Sequence, residues 1–271
     1  MVRHLRNPFV QVGLWTFAIT GAVGAVVWTL PWEPEQASSQ AGPIDTLYDV
    51  LALVSAFVLA LVTSILIVAV IHFRKRSPDD LRDGDPIHGN TRLEVVWTTI
   101  PALLMVGTAV YSGLVLANIE ESKADTRTVN ITGEQFAWTF EYQQERMRAG
   151  ELHLVEDRPY LFKLGAKDVI HSFWVPEFRM KRDAVPGMTT TVRVTPTRKG
   201  RYTLACTELC GLGHSTMRAT VVVEDQAGFD QWAQRLKSGE EPPPGGVVSQ
   251  QGSQAAGTDA QQQTGEGGEA P

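Results

Sequence analysis

Cysteine is nearly absent: Cys206 and Cys210 are the only two in a chain of 271 residues. A small secreted fold stapled by several disulfides is therefore excluded, and the two thiols, four positions apart, have to be read as a local pair. A concentrated basic face is lacking too. The 24 Lys and Arg are scattered among 30 Asp and Glu, for a net charge of −6. This balance argues against a nucleic-acid partner, because neutralising phosphates needs clustered cations. It suits a basic protein partner or an ordinary solvated surface. Large apolar side chains are almost missing from Glu241 to Pro271, a stretch of Pro, Gly, Gln and Ser. Such a segment cannot offset the entropy of ordering, so a disordered tail is expected there.

Charge is what three other stretches lack. Val10 to Leu30, Val50 to Ile71 and Val95 to Ile119 contain no Asp, Glu, Lys, Arg or His. Each is long enough to cross a hydrocarbon core of roughly 30 Å, which needs about 20 apolar residues. The first follows Arg3 and Arg6 and precedes a candidate processing site at Ser39-Gln40-Ala41, so it reads as a signal peptide or a first membrane helix. Its uninterrupted length, and an interfacial belt of Trp28, Pro31 and Trp32, favour a retained span. Arg74, Lys75, Arg76, Arg82 and Arg92 lie between the second and third stretches, whereas Pro31 to Thr46 has no Lys or Arg. Basic residues collect on the cytoplasmic side, so everything after Ile119 is expected outside.

From Arg127 to Glu224 the pattern changes to alternation of period two, the signature of an antiparallel sandwich or barrel. Phe136, Trp138, Phe140 and Tyr142 share one face, as do Leu152 and Leu154, then Tyr160, Phe162 and Leu164. Thr190, Val192 and Val194, Tyr202 and Leu204, and Ala219, Val221 and Val223 continue the series. The expected divisions are a signal peptide or first helix over 1–41, a helical hairpin over 42–119 and a β-domain over 120–225. A short helix over 226–240 and the tail over 241–271 complete the chain.

Chemistry concentrates in Cys206-Thr207-Glu208-Leu209-Cys210-Gly211-Leu212-Gly213-His214-Ser215-Thr216-Met217. Two thiolates, an imidazole and a thioether within twelve residues form a soft donor set that favours copper over hard cations. Gly211 and Gly213 let the backbone turn tightly enough for these side chains to converge. One further imidazole is needed, and His171 sits at the end of another strand. Other readings exist. Positions 206, 210, 214 and 217 would form a stripe on a buried helix, which two interior glycines and β-patterned flanks disfavour. A Cys206–Cys210 disulfide leaves His214, Met217 and His171 unexplained. A zinc site of two Cys and two His has no use for Met217. His4, His72, His88 and His153 carry no motif.

The segment resembles the CuA motif of subunit II of haem-copper cytochrome c oxidases. The similarity extends over most of Ile44 to Asp225. It takes in Glu94-Val95-Val96-Trp97-Thr98-Thr99-Ile100-Pro101, Gly133-Glu134-Gln135-Phe136-Ala137-Trp138 and Asp183-Ala184-Val185-Pro186-Gly187. Nitrous oxide reductase shares only the CuA domain, and its second copper cluster needs more histidines than the six present here. The resemblance implies two or three transmembrane helices followed by an all-β cupredoxin-like Greek-key sandwich. It implies a dinuclear copper centre bridged by Cys206 and Cys210, with His171 and Met217 on one ion and His214 and the Glu208 carbonyl on the other. The Glu208 carboxylate would help bind a magnesium ion shared with subunit I. The chain would accept electrons from a c-type cytochrome or similar donor and pass them to a haem of subunit I. There a proton-translocating cytochrome-c oxidase reduces oxygen. The location implied is a bacterial plasma membrane, with the copper domain facing the periplasm or cell exterior.

Two positions qualify the resemblance. The family usually has Trp where Phe136 stands, at the point where electrons enter, so the Phe136 and Trp138 region is the candidate for that role. Glu94, three residues before Trp97, is the candidate entrance of a proton path; most acids at helix ends are ordinary interfacial carboxylates. The tail has no cysteine, so a fused c-type haem domain, which needs Cys-x-x-Cys-His, is not encoded there. A membrane-tethered copper-delivery module is the alternative from a different functional class.

Overall fold

The computed structural model describes residues 7–30, 33–74 and 86–240. The expected basic residues Lys75, Arg76 and Arg82, the belt residues Pro31 and Trp32, and the tail beyond 240 lie outside the described residues. Three apolar helices come first: α1 (Pro8–Thr29), α2 (Ala41–Phe73) and α3 (Thr91–Ile119). Asn7 caps α1 by accepting from Phe9 N, and Pro8 fills the first turn, where its missing N–H costs nothing. α1 packs along α2, where Thr16 on one helix and Ala60, Ser64 and Val68 on the other are buried. Small side chains at four-residue spacing let membrane helices approach closely.

α2 has 33 residues, about 50 Å at 1.5 Å each, and so exceeds the hydrocarbon core. Its first turns, with Asp45 and Asp49, precede the uncharged run that starts at Val50. They meet the β-domain, where Arg179 Nε donates to Asp45 Oδ1.

That domain packs two five-stranded sheets face to face. One runs in the order β3 (Met147–Ala149), β2 (Ala137–Tyr142), β1 (Arg127–Glu134), β5 (Tyr160–Ala166), β8 (Thr190–Val194). The other runs β4 (Leu152–Val155), β10 (Arg218–Glu224), β9 (Gly200–Cys206), β6 (His171–Val175), β7 (Met180–Ala184). β1 pairs parallel with β5 and β4 with β10, the remaining neighbours being antiparallel, so strands cross between the sheets as a Greek key requires. The alternating residues supply the core: Trp138, Phe140, Tyr142, Leu152, Leu154, Tyr160, Phe162, Leu164 and Leu204 are all buried. Phe136 departs from the expected face. It lies in the turn before β2 and is 39% exposed.

α4 (Gln226–Ser238) closes the end of the sandwich remote from the cysteines. Asp225 caps it through Gly228 N, and Phe229 and Trp232 are buried. His153 has a packing role that its sequence context does not reveal. Its ring stacks on Trp232 with centroids 3.9 Å apart, and its Nδ1 meets Glu224 at 2.6 Å.

Residues 33–41, placed with the membrane segments from the sequence, contribute to the sandwich instead. Ala37 N donates to Glu177 O, Thr197 N to Ala37 O and Ser39 N to Thr195 O, each at 2.9 Å, and Ser38 bridges Pro196. Ala37, Ser38, Gln40 and Ala41 are buried, so the Ser39-Gln40-Ala41 stretch is an integral part of the folded domain.

Candidate metal centre

β6 and β9 are neighbours in register, with Phe173 opposite Cys206, so His171 starts one strand beside the residue that ends the other. The chain then loops from Thr207 to Met217. Cys206 N donates to Met217 O at 3.0 Å and closes the base of the loop; Thr207 N donates to Ser172 O at 3.1 Å and ties it to β6. A single 3₁₀ turn over His214–Thr216 brings His214 back over Cys210.

Six donor atoms converge. The two sulfurs stand 3.8 Å apart, and both thiols are free, so this pair is not the disulfide one reading allowed, whose sulfurs would be about 2.05 Å apart. His171 Nδ1 lies 3.9 Å from Cys206 Sγ, and the Glu208 carbonyl 3.3 Å. His214 Nδ1 lies 3.7 Å from Cys210 Sγ, and Met217 Sδ 3.8 Å. The set fits a soft-metal centre: these gaps leave room for ions between the sulfurs and their neighbours, and no backbone movement is needed to bring the donors together. Cys206, Cys210, His171 and Met217 are buried, and His214 is partly exposed. Burial and the neighbouring Cys206 push the Cys210 thiol up to about 11, so the metal-free pair holds a proton that metal binding must displace.

The supporting shell comes largely from the opposite sheet. His171 Nε2 donates to Asp168 Oδ1 at 2.9 Å, which leaves the lone pair of Nδ1 facing Cys206. Burial works to raise the Asp168 carboxyl, but the N–H groups of Gln135, His171 and Val169 outweigh it and hold the acid down at about 2. A Cβ on Gly133 would sit 2.8 Å from His171 Cδ2, so the imidazole rests on bare backbone. Trp138 packs edge-on against the same ring at 6.0 Å. Gln135 Nε2 donates to Cys210 O at 2.5 Å.

Gly211 and Gly213 do more than permit a tight turn. Gly211 has φ 129°, and a Cβ on Gly213 would sit 2.5 Å from the Phe136 ring, so the loop lies against that ring. Phe136 is at the surface while Trp138 is 2% exposed, which leaves Phe136 as the accessible ring of the two. Glu208 turns its carbonyl inward and keeps an exposed side chain. Glu94 lies apart from the centre, in the first turn of α3. Its Oε1 accepts from Asn90 N at 3.1 Å while Asn90 Oδ1 accepts from Leu93 N, a reciprocal cap. Asp168, Gln135 and Gly133 were not singled out as site residues from the sequence; an acid three residues before His171 was the available signal.

Two family profiles match: cytochrome c oxidase subunit II, transmembrane domain, over residues 25–115, and its periplasmic domain over residues 149–225. The chain is 32% identical to cytochrome c oxidase subunit 2 of Thermostichus vulcanus over 73% of this chain and 76% of that one. It is 30% identical to the same subunit of Synechocystis over 73% of this chain and 74% of that one. Among solved structures, the periplasmic domain of subunit II of cytochrome oxidase of Bradyrhizobium japonicum aligns with 26% identity and a TM-score of 0.41. The alignment covers 44% of this chain and 97% of that one. Helices, sandwich and cysteine loop thus occur together in one chain with the family's sequence along both halves, and the chain belongs to the cytochrome c oxidase subunit II family of haem-copper oxidases.

Proposed function

We propose that this subunit accepts single electrons from a c-type cytochrome or similar periplasmic donor and passes them to a haem of subunit I, where oxygen is reduced with proton pumping. The observation that carries the reading is the pair of free thiols 3.8 Å apart, flanked by two imidazoles and a thioether. Cys206, Cys210, His171, His214, Met217 and the Glu208 carbonyl would hold two copper ions. Copper held by these residues would supply one-electron redox chemistry. The chain's part is to keep the donors in place during oxidation and reduction: Asp168 fixes the His171 ring, Gly133 and Trp138 pack against it, and the base of the loop is sewn to β6. The exposed Glu208 carboxylate is offered to a magnesium ion shared with subunit I. Glu94 is assigned to the mouth of a proton path, and the membrane is a bacterial plasma membrane with the sandwich outside.

Copper analysis and electron paramagnetic resonance of the full chain in detergent test the reading. Two coppers per chain sharing one unpaired electron is the expected result. One exchangeable copper per chain, in a folded preparation with reduced thiols, would overturn it and leave a copper-delivery module.

A further inference from the structure

An ion pair far from the cysteines joins the two halves of the molecule. Arg179 Nε donates to Asp45 Oδ1 at 2.7 Å and its Nη2 to Asp45 Oδ2 at 3.0 Å, a two-point fork between the β-domain and the first turns of α2. The guanidinium also donates to Pro34 O at 2.6 Å and Pro176 O at 2.9 Å, and Gln36 Nε2 donates to Asp45 Oδ2 at 2.8 Å. Both side chains are nearly buried, at 11% and 9% exposure. Arg179 holds φ at 59°, a left-handed conformation in which Gly or Asn is at ease and a long side chain is uncommon. The two-point fork that Arg179 makes from this conformation points to a use for its side chain.

The place of the pair in the fold gives that use. Arg179 follows the 3₁₀ turn Pro176–Phe178, which continues directly from β6. The other end of β6 is His171, so one five-residue strand runs from the joint to the metal centre. Residues 33–40 reinforce the joint, with Ser38 Oγ donating to Phe178 O at 2.9 Å and Gln40 Oε1 accepting from Thr195 N at 3.1 Å. A buried pair of this kind adds little net stability, because desolvation offsets attraction, but it selects one arrangement over others.

We propose that Arg179 and Asp45 are positioning residues: they seat the metal-bearing sandwich on α2 and thereby fix the metal loop relative to subunit I. The proposal rests on the electron-transfer reading above.

The test uses the assembled oxidase with Asp45→Asn, Arg179→Gly and the double variant. Arg179→Gly relaxes the backbone at the left-handed position, so any loss must come from the side chain. The expected result is a copper resonance signature and a rate of reduction by the donor like those of the wild type, with transfer from copper to haem slowed about tenfold in each single variant. The double variant should be no slower than Arg179→Gly, as for residues acting through a shared contact. Amides of Ala37, Ser39 and Thr197 should exchange faster while Cys206 and Thr207 stay protected. Unchanged transfer to the haem despite faster exchange would overturn the proposal, as would an altered copper signature or additive losses. Absence of copper-to-haem transfer in the wild type would count against the electron-transfer reading itself. The joint would then be decided by amide exchange alone, with unchanged exchange in the variants overturning it.

Discussion

Asp168 shows how much a metal site depends on a residue that touches no metal. Its carboxylate accepts from His171 Nε2, Gln135 N and Val169 N, so it fixes a ring and ties two loops together. Asp168→Asn removes the charge and weakens all three contacts. Copper affinity, measured by chelator competition, should fall about 10- to 100-fold, the usual cost of losing such a partner, and an unchanged affinity would count against the role. Phe136 offers a second test. Its ring lies on Gly211 and Gly213, so approach over the ring and approach over the glycines towards His214 are one surface. Phe136→Trp should leave the second-order rate of reduction by the donor nearly unchanged, and a large acceleration at constant donor affinity would show that electrons enter through this position. The six proposed copper ligands were legible: five lie in the run from Cys206 to Met217 and His171 stands at a strand end; donor type marks the two thiols, two imidazoles and thioether, and only the family resemblance points to the Glu208 carbonyl. Gly133 and Gln135 were not. Their importance comes from distances across the two sheets, to His171 Cδ2 and to the Cys210 carbonyl, and no local pattern encodes those.

Among the elements, helices and strands were legible wherever a period was long and clean. The uncharged runs became α1, α2 and α3, and the alternating runs became strands with the expected faces buried, apart from the exposed Phe136 and the half-buried Thr190 and Tyr202. β3, with three residues, and β7, whose interior residues Lys181, Arg182 and Asp183 are exposed, carry too little apolar pattern to be read. The start of α3 illustrates a different limit, because Glu94 closes a reciprocal cap with Asn90 and sequence alone does not separate a capping acid from a proton-carrying one. Glu94→Gln separates them. A glutamine retains the capping acceptor and removes the charge, whereas Glu94→Ala removes both and should cost the helix about 1 kcal/mol. If Glu94 serves a proton path, the Gln variant assembles normally but shows slower proton uptake at saturating donor. Wild-type uptake in that variant would leave Glu94 as a cap alone.

At the scale of the whole molecule, the decisive feature is that the boundary between membrane segments and sandwich does not follow chain order. Residues 33–40 precede α2 in sequence yet complete the β-domain, an arrangement that only contacts 140 or more residues away reveal, as between Ser38 and Phe178. Processing after Ala41 would remove at least four bonds to the sandwich: the three main-chain bonds made by Ala37, Ser39 and Thr197 and the Ser38 hydroxyl bond to Phe178 O. At about 1 kcal/mol net for each hydrogen bond, the loss is about 4 kcal/mol, a large part of the 5–15 kcal/mol that typically holds a domain folded. The mature chain isolated from membranes should therefore retain residues 33–41, which intact-mass measurement reads directly. Thermal unfolding of chains that begin at Glu33 and at Gly42 gives the energetic side of the same argument. The shorter should melt lower by more than about 10 °C, given about 4–8 °C per kcal/mol for a domain of this size. Equal melting temperatures, together with a natural chain starting at Gly42, would show that the sandwich does not need this segment and that its contacts contribute nothing to stability.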